Sequence, residues 1–440
     1  MESRACFTLF VTPHGYHEAS WVVSPSSSPG QIGFRDFADV ARIAERGFID
    51  ALFLADVPYL APPRAWFMAQ SFFDPIDVLA SLIGVTEHIG LMATGSTTFN
   101  NPWDLARRFA TLDHMSGGRA GWNIVTTASK LVASNFNDLE FAEHDDRYER
   151  AREFVEVVLK VWDSWEDDAV LADRTTGVWA DRNKLHAPSH RGKHYRVAGH
   201  LNVPRPPQGH PVLVQAGSSD AGVSLAARFA ELVFTPQSVP EEGAAFRQRI
   251  RAEAGRTGRS ANSVRTLPGL SFLLASSDAE AADQYQTLEA ASSEEFRLHN
   301  LLLIAGIDSA KMTDFDPDGA FPYEVFEAST SFTFAAAVMR KAREGVWTFR
   351  QAAQHFAELP GGLHHTGTPE GLADLIERWI VSGSADGFTL QPLRCPVDLA
   401  IFSDEVVPIL QRRGLVQREY GPGTLRDRLG LARPANVHFG

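Results

Sequence analysis

Hydroxyl and carboxylate residues recur in this chain where an apolar run gives way to a helix start, the place where a parallel α/β barrel keeps its chemistry. Ser96, Thr97 and Thr98 come after the run 89–93, Thr126 and Thr127 close the run 120–127, Asp56 follows 51–55, and Ser218 and Ser219 follow 212–215. Serines that open a helix offer hydroxyls beside unpaired backbone N–H groups, which suits a phosphate and suits a plain helix cap equally well. Asp56 can accept hydrogen bonds from a ligand or a pocket residue, or cap the loop after it. Strand alternation turns only one of Thr97 and Thr98 inward, and Thr98 is the expected one. His144 and Tyr148 stand four apart at the start of a long helical pattern and so share a face. By itself that pair also fits a capping histidine beside a packed tyrosine.

Metal binding is a rival use for the histidines. His186, His190 and His194 recur every four residues, but Pro188 and Gly192 interrupt any helix that would carry them. His14 with His17, and His364 with His365, lack a clustered carboxylate or thiolate. A surface loop is the expected setting for 186–194, and no metal site is expected.

The elements that must position these residues alternate along the whole chain. Strand patterns fall at 7–11, 51–55, 89–93, 120–127, 212–215, 232–235, 270–275 and 387–390. Helical patterns fall between them, including 34–46 with Phe37, Val40, Ala41 and Ala44 on one face, and 145–165 with Phe154, Val157, Val158, Val161 and Trp162 as a buried stripe. The stretch 95–123 shows the unit clearly: Asn101 caps a helix, Pro102 suits its first turn, Ser116, Gly117 and Gly118 stop it, and a strand follows at once. Crossovers this short join parallel strands. Eight such strands predict an α/β fold, a (β/α)8 TIM barrel with long insertions, over 1–440 as a single domain. The insertions are placed at about 57–74, 167–210, with a hairpin around 195–203, and 285–365; a surface arm is placed at about 414–440.

Composition narrows the class. The 440 residues are 44% hydrophobic, enough for a large core, and carry 41 basic against 54 acidic side chains, a net charge of −13 with no basic stripe. That argues against nucleic acid or an anionic membrane as partner. Two cysteines cannot make a disulfide framework, and Cys6 and Cys395 are expected at opposite barrel ends, unpaired. With no signal-peptide pattern and no apolar run of about 18 residues, a cytoplasmic protein is expected. A Gly-x-Gly-x-x-Gly after a strand is absent, and Gly217–Gly222 lacks the lysine of a phosphate loop, so a nucleotide site of either kind is not expected.

The stretch GSTTFNNPWDLARRFATLDHMSGGRAGWNIVTT, followed by NF at 135–136, EHDDRYERAREFVEVVLKVWDSWEDDAV at 143–170 and QAGSSDAG at 215–222, resembles the bacterial-luciferase superfamily. The likeness is to its branch of nitrilotriacetate, dibenzothiophene-sulfone and long-chain alkane monooxygenases, and it runs from the first strand to the last helix. It implies a barrel that takes reduced FMN from a separate flavin reductase and uses O2 to oxidise a small organic substrate: an organosulfur compound, an amine or aminocarboxylate, or an alkane-like molecule. It also implies FMN contacts at His144 and Tyr148, tips Ser218 and Ser219 towards the FMN phosphate, and makes a homodimer or tetramer the expected assembly.

In that family the flavin carries the hard chemistry, and the protein keeps the site dry and handles a proton. The segment 15–21, GYHEASW, resembles the family's first loop, where a histidine commonly stands near the substrate, so His17 is the candidate acid–base residue. Tyr16 occupies a position often held by a second histidine. Trp66, Phe67, Phe72 and Phe73 either line a substrate pocket or form a small core of their own. In the first case Phe321, Tyr323, Phe326 and Phe332 would belong to a lid, and Arg64 would meet an acidic group on the substrate. An F420-dependent oxidoreductase of the same superfamily and an FMN-binding protein without turnover are the alternatives.

Overall fold

The computed structural model describes residues 4–23, 32–60, 66–67, 69, 73–127, 130–136, 144–217, 219–328, 332–358 and 363–438. Eight parallel strands close into a barrel: β1 (Cys6–Phe10), β2 (Ala51–Leu54), β3 (Gly90–Ser96), β4 (Ala120–Val125), β5 (Val212–Ala216), β6 (Leu232–Thr235), β7 (Arg265–Leu274) and, after a further strand, β9 (Gly387–Pro392). Each pairs with the next, and β9 pairs with both β7 and β1. All eight correspond to the runs read from the sequence.

The strand pleat sorts the core into two layers. Leu91, Ala93, Trp122, Ile124, Phe388 and their like point outward against the helices. Trp122 sits among Phe109, Phe154 and Trp162, and its indole N–H donates to Gly95 O at 3.0 Å. The helix Pro102–Met115 starts as its sequence dictates, since the Asn101 side chain accepts from the N–H groups of Trp103 and Asp104. Such a cap stabilises by about 1 kcal/mol.

Alternate residues point into the lumen. Cys6, Ala51, Met92, Val212, Leu232 and Leu267 fill its lower part together with Leu425, Leu429 and Leu431 from the C-terminal tail. A Cβ on Gly90 would come within 2.7 Å of Leu425 Cδ2 and 2.8 Å of Ala51 Cβ, so this position must lack one for the tail to seat. Arg426, almost wholly buried, ties the tail down through Glu231 Oε2 at 2.9 Å and His210 O at 2.9 Å. The expected surface arm at 414–440 is therefore in part a plug for the N-terminal end of the barrel. Leu425, Leu429 and Leu431 are the apolar residues with which the tail enters the lower lumen.

Two further expectations need correction. The hairpin of the first excursion pairs His190–Arg191 with Arg196–Val197, earlier than 195–203, and a second pairs Val170–Asp173 with Val178–Ala180. Beyond Val197 the backbone carbonyls serve other donors: His200 O takes the Trp103 indole and Leu201 O that of Trp165. A ninth strand, β8 (Leu363–Gly367), lies where an insertion was expected and extends the sheet beside the upper half of β7. Its sequence, LHHTG, has no strand-like alternation. Phe321 and Phe326 are buried with Leu301, Leu302, Val338 and Phe349 in a separate core of the second excursion, with Tyr323 packed against it. The Phe332 side chain, Arg64 and Phe72 lie outside the described residues.

Among the described residues, no helix is long and apolar enough to cross a membrane. Cys6 and Cys395 are both buried free thiols.

Candidate active site

Above the apolar plug the lumen becomes polar without becoming charged. Thr94 Oγ1 donates to Leu54 O at 2.8 Å and accepts from Asn123 Nδ2 at 2.9 Å, Thr127 Oγ1 donates to Ser96 Oγ at 2.7 Å, and Thr8 and Thr389 pair at 3.1 Å. Asn123 Oδ1 is buried with no hydrogen-bond partner. Such an acceptor can be met by a donor on a bound molecule or by water, and leaving it bare would cost about 1–3 kcal/mol. The collar suits the polar edge of a planar heteroaromatic ring, which is what the flavin implied by the family resemblance would present.

The expected cofactor contacts lie around this collar. Thr97 is turned into the protein, its N–H and its Oγ1 both donating to Val125 O. Thr98, the preferred hydroxyl, is half-buried one residue past that anchor, with its N–H on Ser96 Oγ at 3.2 Å. β3 ends at Ser96, two residues before Thr98, and Thr94 and Ser96 are its residues that line the upper lumen. Ser219 opens the helix Asp220–Phe229 at the top of β5, and its Oγ accepts from Gly222 N at 3.1 Å. The capping role is thus real, and Ser219 O also accepts from Val223 N, so this helix starts at the C-terminal end of β5. Ser218 lies outside the described residues.

His144 begins the helix His144–Trp162; its side chain also lies outside the described residues. Tyr148, one turn on, is half-buried against the outer core. Two residues further, Arg150 Nε donates to Tyr195 Oη at 2.8 Å, and that hydroxyl reaches Thr97 O at 3.4 Å. The first excursion thereby places a tyrosine at the mouth that no local sequence signal marked. Asp56 is half-buried, and its carboxyl is pushed up to about 6 by burial and by Asp74, with Arg108 opposing.

His17 stands on the opposite rim. Its loop is fixed to the end of β9: Tyr16 N donates to Pro392 O at 2.9 Å, and Cys395 N donates to His14 O at 3.1 Å. Gly15 has φ +118°, and a Cβ there would lie 2.1 Å from Leu393 O, so only glycine allows this approach. His17 is buried, accepts from Ala19 N at 3.1 Å through Nδ1, and meets Glu289 Oε1 at 2.9 Å through Nε2.

Sequence reasoning missed the partners of His17. Burial works against the charge of Glu289, yet the hydrogen bond from His17 and the nearby Arg297 hold its carboxyl below the usual range. His364 of β8 bridges the lumen-facing Ser271, at 3.0 Å from Nδ1, and Thr366, at 2.7 Å from Nε2. Burial, helped by His365 and His17 and opposed by Glu289, pushes His364 down to about 4, so it is neutral at pH 7. The pair His364 and His365, read above only as poor zinc ligands, thus supplies a neutral imidazole at the mouth. Among the described residues no group of histidine, cysteine and carboxylate side chains is arranged to hold a metal ion. His186 and His190 instead pair with Glu166 and Glu153 on the first excursion.

Of the aromatics after β2, Phe67 meets Phe296 of the second excursion at 6.3 Å, while Phe73 packs on Phe37 behind the helices and Trp66 is exposed. The loops after β1 and β2 and the second excursion converge on the rim that carries His17.

The family model described as luciferase-like monooxygenase matches residues 15–386. The chain is 42% identical over 435 residues to nitrilotriacetate monooxygenase component A of Aminobacter aminovorans, covering 96% of this chain and 95% of that protein. It is 38% identical to N-acetyl-S-(2-succino)cysteine monooxygenase of Bacillus subtilis (strain 168), covering 97% of each. Among solved structures, the EDTA monooxygenase of Chelativorans sp. BNC1 superposes with a TM-score of 0.82 at 35% identity, over 98% of this chain and 99% of that one.

Proposed function

The chain belongs to the luciferase-like monooxygenase family and is a flavin-dependent monooxygenase; on that footing we propose that it uses reduced FMN, supplied by a separate flavin reductase, to oxidise a small organic acid with O2. The relatives named above act, by their names, on nitrilotriacetate, EDTA and N-acetyl-S-(2-succino)cysteine, all of which carry several carboxylates. An aminocarboxylate or a carboxylated thioether is therefore the substrate class we put first.

The observation that carries the flavin assignment is the uncharged collar of Thr94, Ser96, Asn123 and Thr127, with one buried acceptor awaiting a donor. Reduced FMN, when bound, supplies the electrons that activate O2. The protein's part is positioning and exclusion of water. Asn123 and the collar hydroxyls would hold the ring edge; the helix start at Ser219, with Ser218, would hold the phosphate; Tyr148, His144, Thr98 and Asp56 would flank it. His17 would hold or move a proton on the rim. His364 stays uncharged and can accept or donate one hydrogen bond through Ser271.

The test is product formation. With reduced FMN, 18O2 and nitrilotriacetate or N-acetyl-S-(2-succino)cysteine as probe, one labelled oxygen atom should appear in the substrate-derived product, trapped as it forms, and the other in water, together with substrate loss beyond that in enzyme-free controls. Turnover with reduced F420 and none with reduced FMN would favour the deazaflavin alternative, and flavin binding without any product the non-catalytic one.

A further inference from the structure

We propose that Glu289 is the positioning residue for His17: its carboxylate, clamped by Arg297, fixes the imidazole in one tautomer and one orientation at the barrel mouth. The inference rests on the monooxygenase reading only for what His17 does once it is fixed.

Two partners select the same tautomer. Ala19 N–H points at Nδ1 at 3.1 Å and Glu289 Oε1 lies 2.9 Å from Nε2, so both favour the hydrogen on Nε2, and the charged carboxylate is the stronger of the two. Glu289 is itself immobilised, because Arg297 Nη2 reaches Oε2 at 2.8 Å and the Glu289 carbonyl at 2.7 Å. Arg297 Nε donates to Ser292 Oγ at 3.0 Å, and that hydroxyl bonds Glu18, whose other oxygen stands 3.6 Å from His17 Nδ1. Tyr285 and His364 close the remaining side, their rings 5.6 Å apart.

Docking the second excursion does not require this charged group. Ala281 and Leu288 of the helix Asp278–Ala290 already pack on Ala19, Leu273 and Leu393 through an apolar contact. A buried carboxylate and guanidinium carry a desolvation cost that such a contact lacks. What they add is direction: a carboxylate behind a histidine sets which nitrogen bears the proton and where the ring points.

The flavin-free protein labelled with 15N-histidine tests this by long-range 1H–15N spectra, with His17→Gln assigning the signal. Wild type should show His17 with the hydrogen on Nε2, and Glu289→Ala, which leaves only the weaker Ala19 N–H to hold the ring, should move the signal towards the average of the two tautomers. Leu288→Ala, which loosens the helix without touching the charge, should keep the wild-type signal. In protein loaded with reduced FMN, Glu289→Ala and Glu289→Gln should change the rate of flavin reoxidation by O2 at least about tenfold, with the flavin dissociation constant within about threefold of wild type and part of the rate restored in Glu289→Asp. A hydrogen on Nδ1 in wild type, an unchanged His17 signal in Glu289→Ala, or a wild-type reoxidation rate in that variant overturns the proposal. Failure of wild type to bind reduced FMN strikes the monooxygenase reading instead and leaves the spectra to decide.

Discussion

Ser271 Oγ and His364 Nδ1 stand 3.0 Å apart, joining a lumen-facing residue of β7 to a strand that periodicity did not reveal. The contact holds a histidine in a buried setting that lowers it from 6.5 to about 4. The unfolded chain therefore binds a proton between those values that the folded one refuses, so this contribution is fully present above about pH 6.5 and is lost as pH falls towards 4. Linkage puts it at roughly 3 kcal/mol. His364→Gln should remove that part of the acid sensitivity: the unfolding free energies of variant and wild type, measured in urea at pH 7 and pH 4, should converge or cross on acidification. Parallel curves would contradict the burial of a neutral His364.

Asp56 works in the opposite sense. Its carboxyl is raised from 3.8 to about 6, so the folded state holds a proton more tightly than the unfolded one, and stability drains away as pH rises through 6. Asp56→Asn should melt at a higher temperature than wild type at pH 8, and the gap should close by pH 4. A variant that melts lower at pH 8 would mean that Asp56 is better stabilised as an anion than its surroundings imply.

The tail makes a sharper claim about architecture. Leu425 is fully buried between Gly90 and the lower lumen, so Leu425→Ala should cost about 2–5 kcal/mol by equilibrium unfolding, on the scale of a core deletion. An unchanged urea midpoint would show that the tail does not plug the barrel.

How much of this was legible in the chain depends on how local each feature is. Asn101 before Pro102 and the glycines after Met115 announce a helix by capping chemistry within a few residues, and the eight apolar runs announce strands. The plug was not legible, because Leu425 acquires meaning only beside Gly90, far away in the chain. The His17–Glu289 pair spans 272 positions, and Glu289 sits on a mostly polar helix with nothing to distinguish it from a solvated residue. Alternation separates Thr98 from Thr97 in the sequence, but the strand ends at Ser96, where the chain turns and regular pleating stops, so nothing in the sequence singles out Thr94 within the apolar run.

Asn123 separates a ligand-binding collar from a merely buried amide. Asn123→Ala should weaken reduced-FMN binding about tenfold, the loss of roughly one hydrogen bond, as read by anaerobic fluorescence titration. Wild-type affinity in that variant would remove Asn123 from the flavin site.

His17 should divide binding from turnover. His17→Ala is expected to lower turnover about a hundredfold to ten-thousandfold, the usual contribution of a placed acid or base, while reduced-FMN affinity stays within about threefold. An unaffected rate would take His17 out of the mechanism.

The central claim, that this barrel holds reduced FMN for reaction with O2, is tested most directly by anaerobic titration of the purified protein with reduced FMN followed by rapid mixing with O2. Saturable binding, with oxidised-flavin absorbance returning more slowly than it does for free FMN, is the predicted result. Absence of any binding across the titration would contradict the claim.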